Sequence, residues 1–240
     1  PAEAGRNLCR NDDGVRIFDP VESGKGGHKM IEKLQKMLPE NTAAYIERPE
    51  NRRYYTGFTS SNGFLFVTKN TAVFYTDFRY IIAARNTVDK RIEVRELDKN
   101  RYEIVAGFVK KENITTVLIE ENSLSYASAK KLEEAVAPAK IIPEGDGYTV
   151  SLRQIKTEKE IAKIKKAQLV ADKGFDFLCK LIAERKTDLT EKEAAAKLEY
   201  FMKCEGADDL SFSVIAAFGE NSACPHAVPT ERKAKKGHAL

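Results

Sequence analysis

The sequence predicts an α/β protein in two parts, a mixed sheet flanked by helices over residues 30–148 and the first part of an α+β unit over 157–240, joined by a linker at 149–156. Three observations carry this reading. Segments rich in aromatic and β-branched residues alternate with segments of helical period as far as about residue 148, an order that gives a parallel or mixed sheet covered by helices. Glycine and serine then punctuate "EGDGYTVSLRQ". Beyond Thr157 the pattern changes to two long amphipathic helices, each opened by a capping box.

In the first part, "MIEKLQKML" places Ile31, Leu34 and Leu38 at helical spacing and is stopped by Pro39. "TAAYIE" reads as a strand, and "GFLFVT" and "TAVFYT" flank Lys69 and Asn70 as a hairpin. A helical stretch after Asp77 through Ala84, the strand "RIEVREL", a helix near 99–111, the strand "TTVLIEE" and a helix near 125–136 complete the alternation. Asp77 reads as an N-cap with Arg79 as its surface neighbour. "ENRRYYTGF" reads as an aromatic-bearing loop, which either walls a pocket or packs against its own sheet.

In the second part, Thr157-x-x-Glu160 opens a helix carrying Ile161, Ile164, Phe175, Leu178 and Ile182 at helical spacing. Thr190-x-x-Glu193 opens another, which ends before Gly206. "SFSVIAAF" reads as an apolar strand, 219–229 as a stiff turn, and "KKGHAL" as the start of a further strand. Two helices and one and a half strands cannot bury so large an amphipathic set, so this unit is expected to continue beyond Leu240 or to meet another chain.

The 240 residues carry 40 basic and 36 acidic side chains, a net charge of +4 with the signs mixed along most helical stretches. That argues for a solvated surface and against nucleic-acid binding. No apolar run reaches the roughly 18 residues of a membrane span, and no signal-peptide pattern opens the chain, so no membrane contact is expected and the cytoplasm is the default compartment. Cys9, Cys179, Cys204 and Cys224 form no CxxC pair, which points to neither a disulfide framework nor a zinc ribbon. Residues 1–29 show no sustained period and are read as a leader outside the fold: a non-native stretch ahead of a true start at Met30, a tag, or a disordered terminus. His226, between Pro225 and Ala227, is the one histidine held in a stiff turn. By residue type alone it caps a strand or presents an imidazole in a fixed pose.

The blocks "NRRYYTGFTSSNGFLFV", "YTDFRY", "LRQIKTEKEIAKIKKA", "EGADDLSFSVIAAFGENSACPHAVPT" and "KKGHAL" resemble, in that order, the Xaa-Pro aminopeptidases of the creatinase/prolidase metallopeptidase family (M24B), from about Met30 to Leu240. The resemblance implies a creatinase-like N-terminal domain followed by the first part of a pita-bread peptidase domain. It also implies two divalent metal ions (Mn, Co or Zn), peptide substrates with proline at position two, and a homodimer. The family's five metal ligands are two aspartates, a histidine and two glutamates; the first aspartate would fall just past Leu240, so no metal ligand and no bound metal is expected in this chain. His226 matches the family's substrate-binding histidine, which stabilises the tetrahedral intermediate. Gly237-His238 departs from the usual Gly-Asp, and His238 reads as a surface turn residue.

In the implied reaction, two metal ions lower the pKa of a bridging water and polarise the carbonyl. Proline has no N–H and a fixed φ, so recognition needs a pocket shaped for the ring. Phe212 is the residue expected to line it, with core packing as its alternative. A prolidase-type Xaa-Pro dipeptidase and a non-catalytic binding or dimerisation protein of the same fold are the competing readings, with creatine hydrolysis more distant.

Overall fold

The computed structural model describes residues 28–98, 100–145, 147–185 and 187–239. The leader expected over 1–29 lies outside the described residues except at its end, where helix α1 (His28–Met37) opens ahead of the expected onset at Met30. The chain divides into two compact units between Ile155 and Lys156.

The first unit is built on a mixed sheet of β1 (Thr42–Ile46), β2 (Phe64–Thr68), β3 (Ala72–Thr76), β4 (Glu93–Glu96), β5 (Thr116–Ile119) and β6 (Lys140–Pro143), in the order β4-β3-β2-β1-β5-β6. β1–β2 and β2–β3 are antiparallel; β3–β4, β1–β5 and β5–β6 are parallel. The helices are α2 (Pro49–Thr56), α3 (Ile81–Thr87), α4 (Arg101–Lys111), α5 (Tyr126–Val136) and α6 (Tyr148–Gln154). Strand side chains alternate between faces, and here each face has its own core. Tyr45, Phe66 and Val73 meet Val105 and Phe108 of α4 and Leu132 of α5. Ile46, Leu65 and Phe74 meet Ile31 and Leu34 of α1, Tyr55 of α2 and Ala84 of α3. Covering both faces is what lets parallel pairs occupy the interior.

The sequence is corrected at three places in this unit. "ENRRYYTGF" is not a loop: Pro49 sits in the first turn of α2 and Gly57, with φ +71°, closes it. Asp77 caps a turn rather than a helix, because its carboxylate is taken by the Arg79 amide and guanidinium while Tyr80 occupies the N-cap of α3. The segment read as a linker at 149–156 holds most of α6. Tyr54 donates its hydroxyl to the Leu152 carbonyl at 2.8 Å and Tyr55 donates to Thr149 at 2.8 Å, so α6 is fastened to α2. Burial pushes the Tyr55 phenol well above its usual range. Glu144 accepts from the Tyr148 and Thr149 amides at the start of α6.

A polypeptide of residues 28–155 is therefore expected to melt cooperatively, and one ending at 148 to be less stable by about 2–4 kcal/mol, since the buried Tyr55 hydroxyl would lose its closer acceptor, the Thr149 carbonyl, and α6 its packing. Thermal denaturation of the two checks this, and equal midpoints would show that α6 contributes nothing.

The second unit contains α7 (Glu158–Arg185) and α8 (Glu191–Cys204). Both expected capping boxes form: Glu160 accepts from the Thr157 amide at 2.7 Å, and Thr190 and Glu193 cap each other's amides. The helices approach closely at Gly174, where an added Cβ would lie 3.0 Å from Leu198 and 3.1 Å from Met202. Phe177 stacks on Phe201 with ring centroids 4.3 Å apart. A small core gathers Leu189, Ala194, Ala216, Phe218 and Ala234. Ile164, Leu169 and Phe175 of α7 remain exposed.

Neither of the two expected strands of this unit is seen among the described residues. Residues 211–218 have no ladder partner among the described residues, and a strand needs one to satisfy its backbone groups. Residues 235–239, expected to start the second strand, pass instead through a turn in which the His238 amide donates to the Lys235 carbonyl at 3.1 Å, and the residues just before them, 230–234, run beside the start of α8 through the bridge of Thr190 to Lys233 and the bond from the Ala234 amide to the Leu189 carbonyl at 3.0 Å.

Candidate functional site

The turn that carries His226 is organised by one carboxylate. Glu191, the first residue of α8, is fully buried, and its oxygens accept from the Phe218 amide at 2.7 Å, the Asn221 side-chain amide at 3.0 and 2.9 Å, the Thr230 amide at 2.8 Å and the Thr230 hydroxyl at 2.6 Å. Burial alone would raise its pKa, but these donors outweigh that and bring it from the ordinary 4.5 down to about 2. The helix N-terminus adds to the stabilisation of the charge.

Between these anchors the chain makes one short 3-10 turn, Gly219–Ala223, and then a reverse turn. The Cys224 amide donates to the Asn221 carbonyl at 3.0 Å, and the Ala227 amide donates to the Cys224 carbonyl at 3.1 Å. Pro225 and His226 occupy the two central positions of this last turn, the first of which suits proline's fixed φ. Ala227 is buried and His226 is exposed, so the imidazole projects from a backbone held on both sides.

Phe212 is 73% exposed and is not a core residue. It lines a groove of about 520 Å³ with Leu210, Val214, Pro229, Ala195 and Lys192. His226 is not among the walls of this groove, so the two residues singled out from the sequence do not share a cavity. His238, expected at the surface, is half-buried: its ring lies over Gly219, where an added Cβ would come within 2.9 Å of the imidazole. Gly219 has φ +59° and donates its amide to the Ala239 carbonyl at 2.9 Å.

Among the described residues no group of three or more His, Cys, Asp and Glu side chains could hold a metal ion. Cys179 and Cys224 are exposed free thiols. Among the described residues no helix is long and apolar enough to cross a membrane. Sequence reading missed Glu191 altogether. It looks like an ordinary acidic residue in a first helical turn, and its partners lie 27 to 39 positions away, beyond any local spacing rule.

Residues 30–155 match the Creatinase/Prolidase N-terminal domain and residues 162–240 match Metallopeptidase family M24. The chain is 32% identical to the uncharacterized peptidase YqhT of Bacillus subtilis over 78% of its own length and 52% of the relative's. It is also 32% identical to the Xaa-Pro dipeptidase of Pyrococcus furiosus, over 86% of this chain and 57% of that one. Among solved structures, the Xaa-Pro dipeptidase from Bacillus anthracis superposes with a TM-score of 0.80 at 31% identity, covering 88% of this chain and 59% of that one. The X-Pro aminopeptidase from Thermotoga maritima gives 0.75 at 30% identity, covering 86% and 58%. The chain thus spans between half and three fifths of the length of these relatives. With a mixed sheet flanked by helices in the first unit, and with both parts matched in order, the chain belongs to the creatinase/prolidase family of M24 metallopeptidases.

Proposed function

We propose that the chain is the N-terminal portion of a metal-dependent aminopeptidase that releases the first residue from peptides with proline at position two, working as a homodimer. The single observation that carries the reading is the clamped turn with His226 at its tip, in the segment that matches the peptidase family. Two divalent ions, when bound by the remainder of the peptidase domain, would supply the activated water. The described residues offer no site for them, so this chain's own contribution is to bind and orient substrate. His226 donates toward the oxygen of the scissile carbonyl as charge develops there, and a donor already fixed in place favours the transition state over the ground state. Phe212 lines the ring-binding surface.

A second reading, a dipeptidase acting only on Xaa-Pro dipeptides, is favoured by the names of the relatives from Pyrococcus furiosus and Bacillus anthracis. The two are separated by substrate length. A longer polypeptide completing the peptidase domain should bind manganese or zinc stoichiometrically and cleave Xaa-Pro tripeptides and longer peptides, whereas the 240-residue chain alone should do neither. Cleavage confined to dipeptides would select the second reading. Metal-dependent cleavage by the 240-residue chain alone would overturn the division of labour proposed here, and metal binding without any cleavage by the longer polypeptide would leave a non-catalytic protein of the same fold.

A further inference from the structure

We propose that Glu191 is the positioning residue of the His226 turn: one buried carboxylate fixes the start, the middle and the end of segment 218–230, and thereby fixes where the imidazole stands. This rests on the reading of His226 as a substrate-binding group. The argument is geometric. Phe218 opens the segment, Thr230 closes it, and Asn221 lies between; all three donate to the same two oxygens. The path then continues by backbone bonds alone, from the Asn221 carbonyl to the Cys224 amide and from the Cys224 carbonyl to the Ala227 amide, enclosing His226. Glu191 is itself held, because its own amide donates to the Arg232 carbonyl at 3.0 Å and the next amide, of Lys192, donates to the Thr230 carbonyl at 3.2 Å. Among the described residues, the carboxylate's five bonds come entirely from this segment, and none goes to α7 or to the rest of α8. A group serving only to seat the helix would not be so distributed. Only a carboxylate fits: it accepts at every lone pair, whereas the isosteric amide of a glutamine side chain would turn an N–H₂ toward donors.

The test has one arm that does not depend on catalysis. In the 240-residue chain, Glu191→Gln is expected to speed hydrogen–deuterium exchange of the Phe218, Cys224, Ala227 and Thr230 amides by about 10-fold or more, with the interior amides of α7 and α8 unchanged. Thr230→Val, which removes one bond while keeping the side-chain shape, should show a smaller increase at the same amides, and Thr230→Ser, which keeps the hydroxyl, should retain the protection. Unchanged exchange in Glu191→Gln would overturn the proposal. So would a loss of protection spread evenly over α7 and α8, which would mark Glu191 as a general fold element, and in that event the Thr230→Val and Thr230→Ser pair still reports on the turn by itself. In the longer metal-loaded polypeptide, Glu191→Gln and Thr230→Val should lower kcat for an Xaa-Pro peptide, the former by about 10-fold, with KM and metal content unchanged. A rise in KM alone would overturn the positioning role. If that polypeptide cleaves nothing even before substitution, the peptidase reading fails, while the exchange arm still decides whether Glu191 holds the turn.

Discussion

In a polypeptide that completes the peptidase domain, His226→Ala is expected to lower kcat by about 100-fold, a loss of about 2.7 kcal/mol of transition-state stabilisation, with KM changed little and metal content not at all. The magnitude follows from the kind of interaction. A donor aimed at a carbonyl oxygen gains most when that oxygen becomes an oxyanion, so its removal appears in kcat. It appears in KM only if the ground state used the same bond. The turn supplies the fixed pose that this requires, since Pro225 restricts φ beside His226 and the Ala227 amide closes the turn behind it. His226→Gln retains an N–H donor of comparable reach on a more flexible side chain and should recover part of the loss. Steady-state kinetics with metal analysis on the same samples decides the matter: full activity in His226→Ala would remove the assigned role, and lost metal would make the residue a ligand.

Gly63→Ala is expected to cost the first unit at least about 4 kcal/mol and on the order of 10 °C in melting temperature. Gly63 precedes β2 with φ +133°, and a Cβ there would lie 2.2 Å from the Tyr75 carbonyl oxygen of the neighbouring strand, with Arg52 at 3.1 Å and the Thr76 Cα at 3.3 Å. The obstruction is backbone on the partner strand, so no rotamer change relieves it, and β2 would have to part from β3. Gly57 provides the comparison. Its φ of +71° also favours glycine, but nothing lies within 4 Å of an added Cβ, and Gly57→Ala should cost only about 1 kcal/mol. Similar melting temperatures for the two variants would show that the close approach at Gly63 is relieved elsewhere.

The elements legible in the sequence are those whose signals are local. The hairpin of β2 and β3 declares itself by two aromatic-rich runs around a short turn, and α7 and α8 by the Thr-x-x-Glu boxes that do form. Signals were also present for α2, in Pro49 and Gly57, but its eight residues carry charges and tyrosines in place of an apolar stripe. The edge strand β6 has only four residues, the last of them Pro143, and α6 follows a glycine-rich stretch that reads as a linker. Residues 211–218 have strand composition without a strand's partner among the described residues. The same division runs through the site. The stiffness around His226 is written in neighbouring prolines, whereas the clamp at Glu191 exists only once residues from separate stretches of chain are brought together.

The pairing of β1 with β5 bears on how the first unit assembles. These strands lie side by side in the sheet, with Thr42 opposite Thr116, yet β2, β3, β4 and the helices α2, α3 and α4 are threaded between them in the chain. The Glu120 carboxylate seals the same junction by accepting from the Glu47 and Arg48 amides, each at 2.8 Å and 73 and 72 positions earlier. Closing so long a loop costs chain entropy before any contact is gained, while the β2–β3 hairpin closes over a few residues in roughly microseconds. Hairpin formation is therefore expected to precede the β1–β5 junction, and closure of that junction to limit the folding rate of the unit. Until it forms, β1 presents an open edge that β5 covers in the finished sheet, so conditions that slow this one step favour aggregation without altering a single native contact.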